Sequence, residues 1–144
     1  MKIQSLGHVV VRVTDIDRAE RFYGDVLGLP ICARFEENGM RMTFFSLGNH
    51  HDFAVMLVPG DAATTEGAGL HHVAFKIGDS LDQLREARAK LEAAGVVTDP
   101  IDHEVTKSLY MADPDGNGIE LYVDASDVWK REPQKVAQLF PLEL

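Results

Sequence analysis

Polar and apolar residues alternate along 4–13, QSLGHVVVRV, as they do in a half-buried strand. Val9, Val11 and Val13 then share one face, and His8 and Arg12 share the other. The period changes to a helical one at Ile16, Ala19, Phe22, Val26 and Leu27, with Gly28 closing the helix. Further strands are predicted near 31–36 and 40–47, joined through Asn38-Gly39, the strongest short hairpin signal, and a fourth at about 52–58. The order is strand, helix, three strands.

The same order returns. A strand at 70–77 precedes Ser80 and Gln83, spaced as a capping box, and a helix carrying Leu81, Leu84, Leu91 and Ala94 that Gly95 closes. Strands follow at about 96–101, 106–112 and 117–123, with Asp113-Pro114-Asp115-Gly116-Asn117 as the last turn, where Gly116 supplies permissive backbone. Displaced by 64 positions, His8-Val9 lies over His72-Val73 and Val55-Met56-Leu57 over Ile119-Glu120-Leu121. The fold class is therefore α+β: two βαβββ modules, about 3–58 and 70–124, joined by a linker at 59–69 into one domain over 1–124. Residues 125–144 form a tail, with a short helix from near Ser126 that packs Val128 and Trp129 on the body and is interrupted or ended near Pro133. No chemistry is assigned to the tail.

Composition narrows the function. With 144 residues, 45% of them hydrophobic, one core-bearing domain is the default. Fourteen Lys and Arg against 23 Asp and Glu, a net charge of -9, argue against nucleic acid or an anionic membrane as partner. No run approaches the roughly 20 apolar residues of a membrane span. Cys32 is the single cysteine and makes no internal disulfide, and MKIQSLGHVVV lacks the apolar stretch of a signal peptide. A soluble, reduced, cytoplasmic protein is expected.

On the face opposite the valines, His8, His72 and Glu120 converge if the two sheets curve toward one another. Two imidazoles and one carboxylate are the set that holds non-haem Fe(II) with positions left open. A histidine at a strand end is more often an ordinary polar residue, and spacing alone leaves both readings open. Met56 occupies the place equivalent to Glu120 in the first repeat, which removes a symmetric four-ligand site.

LGHVVVRV, LHHVAFKI and DPDGNGIELY resemble the vicinal oxygen chelate superfamily, which includes glyoxalases, bleomycin-resistance proteins and type I extradiol dioxygenases, over about 3–124. The resemblance implies an open, incomplete β-barrel around a metal held by His8, His72 and Glu120. NHHDFAVML is similar to the extradiol dioxygenase segment in which a histidine followed by aspartate serves as an acid beside the metal, which implies that role for His51, although the interval to His72 is longer here. The same family places a histidine and a tyrosine before the DPDG turn in contact with the catechol and the oxygen site. His103 and Tyr110 match them, with a somewhat shortened loop between. All of these, and His50, also read as plain surface or strand residues, and His71 is expected on the strand face opposite His72 in a structural role.

The reaction so implied is Fe(II)-dependent extradiol cleavage of a small catechol-type aromatic diol by O2. As a rival, the resemblance also allows a glyoxalase- or epimerase-like isomerase or lyase using Mn, Zn, Ni or Co, which normally wants a second carboxylate where Met56 stands. It also allows a metal-free binding protein of the bleomycin-resistance kind. The family's habit implies a homodimer or higher homo-oligomer.

Overall fold

The computed structural model describes residues 5–60 and 68–144, in two compact units. The first is the N-terminal half together with the turn Asp113–Asn117, and the second is the remainder. Met1 to Gln4 and residues 61–67, most of the expected linker, lie outside the described residues.

In the first unit β1 (Val9–Val13) is followed by α1 (Ile16–Glu20), which widens into a π-type turn over Arg21–Val26, and then by β2 (Ile31–Glu37), β3 (Met40–Phe45) and β4 (Phe53–Leu57). The sheet order is β1-β4-β3-β2, with β1 parallel to β4 and the other pairs antiparallel. β1 begins at Val9, later than the alternation suggests, because β4, its one partner among the described residues, is five residues long and a ladder ends with its partner. Asp15 caps α1 by accepting from the Arg18 N–H at 2.9 Å. Asn38 and Gly39, with φ of 52° and 80°, make the expected hairpin turn. Val11, Val13, Ile16, Tyr23, Phe45, Phe53 and Val55 fill the core.

The turn Asp113–Asn117 is bound into this unit by buried carboxylates. Tyr23 donates its hydroxyl to Asp113 Oδ2 at 2.7 Å, and Asp113 also accepts from the N–H groups of Asp115 and Asn117 and from Asn117 Nδ2. Asp115 takes the Thr14 hydroxyl and, at 2.9 Å, the Arg18 guanidinium. Burial, and next the Asp113 charge, push the Tyr23 phenol far above its usual range, so it remains a donor. Tyr23→Phe should therefore cost about 1–3 kcal/mol of stability, the penalty for depriving a buried acceptor of one donor, read as a lower urea midpoint with unchanged m. An unchanged midpoint would mean that water replaces the phenol.

The second unit runs β5 (Val73–Gly78), α2 (Leu81–Ala93), β6 (Asp99–Asp102), β7 (Thr106–Ala112), β8 (Gly118–Asp124) and β9 (Phe140–Pro141), in the order β5-β8-β7-β6-β9. Both halves of the Ser80–Gln83 capping box are made, and Gly95, with φ of 76°, follows the helix end. Leu84 and Leu91 bury one side of α2, with Leu109, Ile119 and Val123 also in the core. Among the described residues no helix is long and apolar enough to cross a membrane.

Two expectations change. The short tail helix is of the 3₁₀ kind, Val128–Lys130, and a second, Pro133–Ala137, follows it ahead of β9. Pro133 offers no N–H and holds Glu132 out of helical geometry (φ -125°, ψ 76°), and Trp129 stays 46% exposed instead of packing on the body. The repeats also pair with different registers. Val9 lies opposite Phe53 but Val73 opposite Ile119, separations of 44 and 46 residues. The residue matching Glu120 by pairing is thus buried Ala54, while Met56 matches Tyr122. The first repeat still offers no carboxylate there.

Candidate functional site

β8 buries Ile119, Leu121 and Val123 on one face and carries Glu120 and Tyr122 on the other. Glu120 is only 7% exposed, yet it bears a carboxylate. Its Oε2 lies 3.1 Å from His72 Nε2, and its Oε1 accepts from the Ser108 hydroxyl at 2.6 Å. Gly118 makes this approach possible: a Cβ there would stand 2.2 Å from the His71 carbonyl oxygen, so only glycine lets the chain ahead of β5 cross the start of β8.

His71 is not turned away from His72. Their Nδ1 atoms are 2.7 Å apart, because the β5 ladder starts at Val73 and strand alternation does not reach these two residues. When His72 Nε2 presents its lone pair, its Nδ1 carries the proton and His71 Nδ1 accepts it, which fixes the ring as a ligand's outer nitrogen usually is.

His103 and Tyr110 join the same cluster despite the short loop. The Tyr110 hydroxyl is 2.9 Å from His103 Nε2, and His103 Nδ1 is 2.7 Å from the Gln138 carbonyl. A carbonyl only accepts, so Nδ1 carries a proton, and in the tautomer that leaves Nε2 bare this nitrogen accepts the phenolic hydrogen. Burial, then the charge and hydrogen bond of Glu120, push the Tyr110 phenol up to about 12, which keeps it a donor at neutral pH. Its ring meets His72 edge-on at 5.4 Å. Glu120, Tyr110 and His103 line a cavity of about 590 Å³ with Ala74, Trp129 and Val136.

The other predicted residues stand in the first unit. His8 precedes β1 and His51 precedes β4, with ring centroids 4.2 Å apart, and His50 lies 4.5 Å from His51. Their ligand-capable nitrogens all fall within 4.8 Å of one another. Desolvation, then the neighbouring His8 and His50, hold the His51 imidazole below its usual range against the opposing pull of Asp52. His50 reads from the sequence as a surface residue but is the third member here, and its doublet with His51 is the sequence signal for it.

The donors suit a first-row divalent metal. Two ligands at about 2.1 Å and a right angle stand about 3.0 Å apart, close to the 3.1 Å between His72 Nε2 and Glu120 Oε2. Imidazole and carboxylate together accept Fe(II), Mn, Zn, Ni or Co and do not choose among them.

Residues 5–121 match the Glyoxalase/Bleomycin resistance protein/Dioxygenase superfamily. The chain is 34% identical to biphenyl-2,3-diol 1,2-dioxygenase 3 of Rhodococcus globerulus over 83% of its own length, and spans 63% of that longer protein. It is 27% identical to a probable lactoylglutathione lyase of Synechocystis sp. over 84% of its length, spanning 96% of that protein. The crystal structure of a glyoxylase/bleomycin resistance protein/dioxygenase domain from Frankia sp. EAN1pec superposes with a TM-score of 0.73 at 20% identity, covering 85% of this chain and 99% of that one. This likeness carries the fold, two βαβββ repeats each with its own mixed sheet.

Proposed function

We propose, from the premise that this chain belongs to the glyoxalase/bleomycin resistance/dioxygenase superfamily, that it is an extradiol ring-cleaving dioxygenase acting on a catechol-type diol. His8, His72 and Glu120 would hold Fe(II). Bound there, Fe(II) would bring the diol and O2 together and relay electrons from the diol, which is itself the reductant, to triplet O2. Both oxygen atoms enter the product as the ring opens beside its hydroxyl carbons, so no outside reductant is required.

The observation that carries the reading is the Tyr110–His103 pair set against Glu120. Tyr110, held protonated, turns its one hydrogen from His103 Nε2 to a substrate oxygen, and the neighbouring His103 ring places the phenol. His51 takes a proton from the diol at an imidazole nitrogen and returns it to oxygen later. Tyr110→Phe should lower kcat/KM about 10–100-fold with iron still bound, the loss of one hydrogen bond to a charged oxygen. An unaltered rate would remove Tyr110 from the reaction.

The lyase relative, nearly all of whose length this chain spans, favours a second reading, metal-dependent isomerisation through an enediolate. Ala54 at the pairing position of Glu120 counts against it, because that chemistry normally wants another carboxylate. Anaerobic reconstitution with Fe(II), iron counted per chain, then air and a panel of catechols, separates the two. A yellow ring-opened product that needs both Fe(II) and O2 is expected. About one iron per chain with no oxygen uptake on any diol, and isomerase activity with Ni, Co, Mn or Zn, would establish the second reading. One domain over 1–124, a homodimer or higher homo-oligomer, and a cytoplasmic setting belong to the first reading.

A further inference from the structure

Each sheet has two outer strands, and β2 differs from the other three. β1 and β5 alternate between covered and open residues, and β9 is two residues long. β2 has seven residues and is exposed from Cys32 to Glu37. Its hydrogen-bonding phase follows from the hairpin. A two-residue loop at Asn38-Gly39 with both φ positive makes Glu37 and Met40 a hydrogen-bonded pair. Bonded and non-bonded pairs then alternate, so Phe35 directs its N–H and C=O to Met42, while those of Arg34 and Glu36 face outward, where no strand meets them among the described residues. Such a row of donors and acceptors on an exposed strand is a template for another strand.

The side chains select which strand. Antiparallel pairing with a second β2 keeps outward groups opposite outward groups only where the two-fold axis falls on a residue. At Arg34, Glu36 or Glu37 the axis would set like charges face to face, and at Ala33 it would meet the bulge at Cys32. At Phe35 it sets Arg34 opposite Glu36 of the second copy, and Glu36 opposite the second copy's Arg34. The two Phe35 rings, each 39% exposed, then face one another in the non-bonded pair, where side chains stand closest. Arg34 holds Glu20 through Nε and Nη2 at 2.8 Å each, which fixes the guanidinium and leaves Nη1 for an incoming carboxylate.

We infer that two copies of this chain pair antiparallel along β2 about an axis at Phe35, joining their first sheets into one. Backbone bonds and the Phe35 pair supply the attraction, and the charges choose the register, since exposed ion pairs add little by themselves. The pairing does not depend on the dioxygenase reading, and it gives the proposed homodimer an interface.

Sedimentation of the full chain from micromolar to hundreds of micromolar concentration should show a monomer–dimer equilibrium. Arg34→Glu and Glu36→Arg should each raise the dimer dissociation constant about tenfold or more, because each opposes like charges in both symmetric pairs. An equimolar mixture of the two variants, or the double variant, should recover most of the affinity. Arg34→Glu also gives up Glu20, so amide exchange on the unaltered chain stands beside it. Exchange at Arg34 and Glu36 should slow as concentration rises, while Phe35, already bonded to β3, stays the same. A monomer at every concentration, a dimer indifferent to both substitutions, or a mixture no tighter than either variant would overturn the pairing. Protection of Arg34 and Glu36 that is complete in a monomer would also overturn it, with a segment of the same chain on the edge instead of a second copy.

Discussion

Glu120→Gln should lose iron and ring opening together while the apo chain keeps its fold. Glutamine has nearly the same shape and still accepts from Ser108, so the packing around this buried position changes little. What disappears is the anionic oxygen 3.1 Å from His72 Nε2, replaced by an amide that is a poor ligand. Iron should fall from about one per chain to about a tenth or less, and turnover by about a thousandfold or more. Thermal unfolding makes the cause visible without any assay. A metal at about a hundred times its Kd stabilises the folded state by about 2.7 kcal/mol, so the wild type should melt several degrees higher with Fe(II), while the variant melts at one temperature with or without it. Full iron retention would take Glu120 out of the ligand set and leave the His8, His50 and His51 group as the metal-binding alternative.

His51→Ala is expected to give the opposite separation, with iron kept and kcat lowered about 10²–10⁴-fold, the usual worth of a positioned acid or base. The His51 ring lies 4.2 Å from that of His8 and 5.3 Å from that of Phe44, so the variant opens space at a half-buried position without unpairing a buried charge. Affinity for the diol under anaerobic conditions should change little, because the lost group acts on protons. If iron leaves with His51, the imidazole is a ligand and the three-histidine group holds the metal. The two variants thus decide between the donor groups by iron content alone.

Much of this was legible in the chain. The two βαβββ repeats, the Asn38-Gly39 turn, the Ser80–Gln83 box and the stop at Gly95 each depend on residues within a few positions of one another, which is why pattern and propensity reached them. Placing Glu120 on the polar face of β8 likewise needed only alternation, whereas His72, expected within a strand over 70–77, lies just ahead of β5, where alternation no longer applies.

Tertiary structure decided what depends on partners far away in sequence. The two-residue difference in ladder register put Ala54 where a displacement of 64 had put Met56, because register is chosen by pairing and packing across the sheet. The clearance at Gly118, the His71–His72 contact and the burial of Asp113 and Asp115 are likewise products of chains that meet only on folding. So is the tail: a helical pattern interrupted by Pro133 became two short turns anchored to β6 and His103, which carried Trp129 to the cavity wall. Local sequence determined which residues were available for the chemistry, and long-range pairing determined which of them meet, because neighbours in space set hydrogen-bond partners, solvent access and the form of each titrating group.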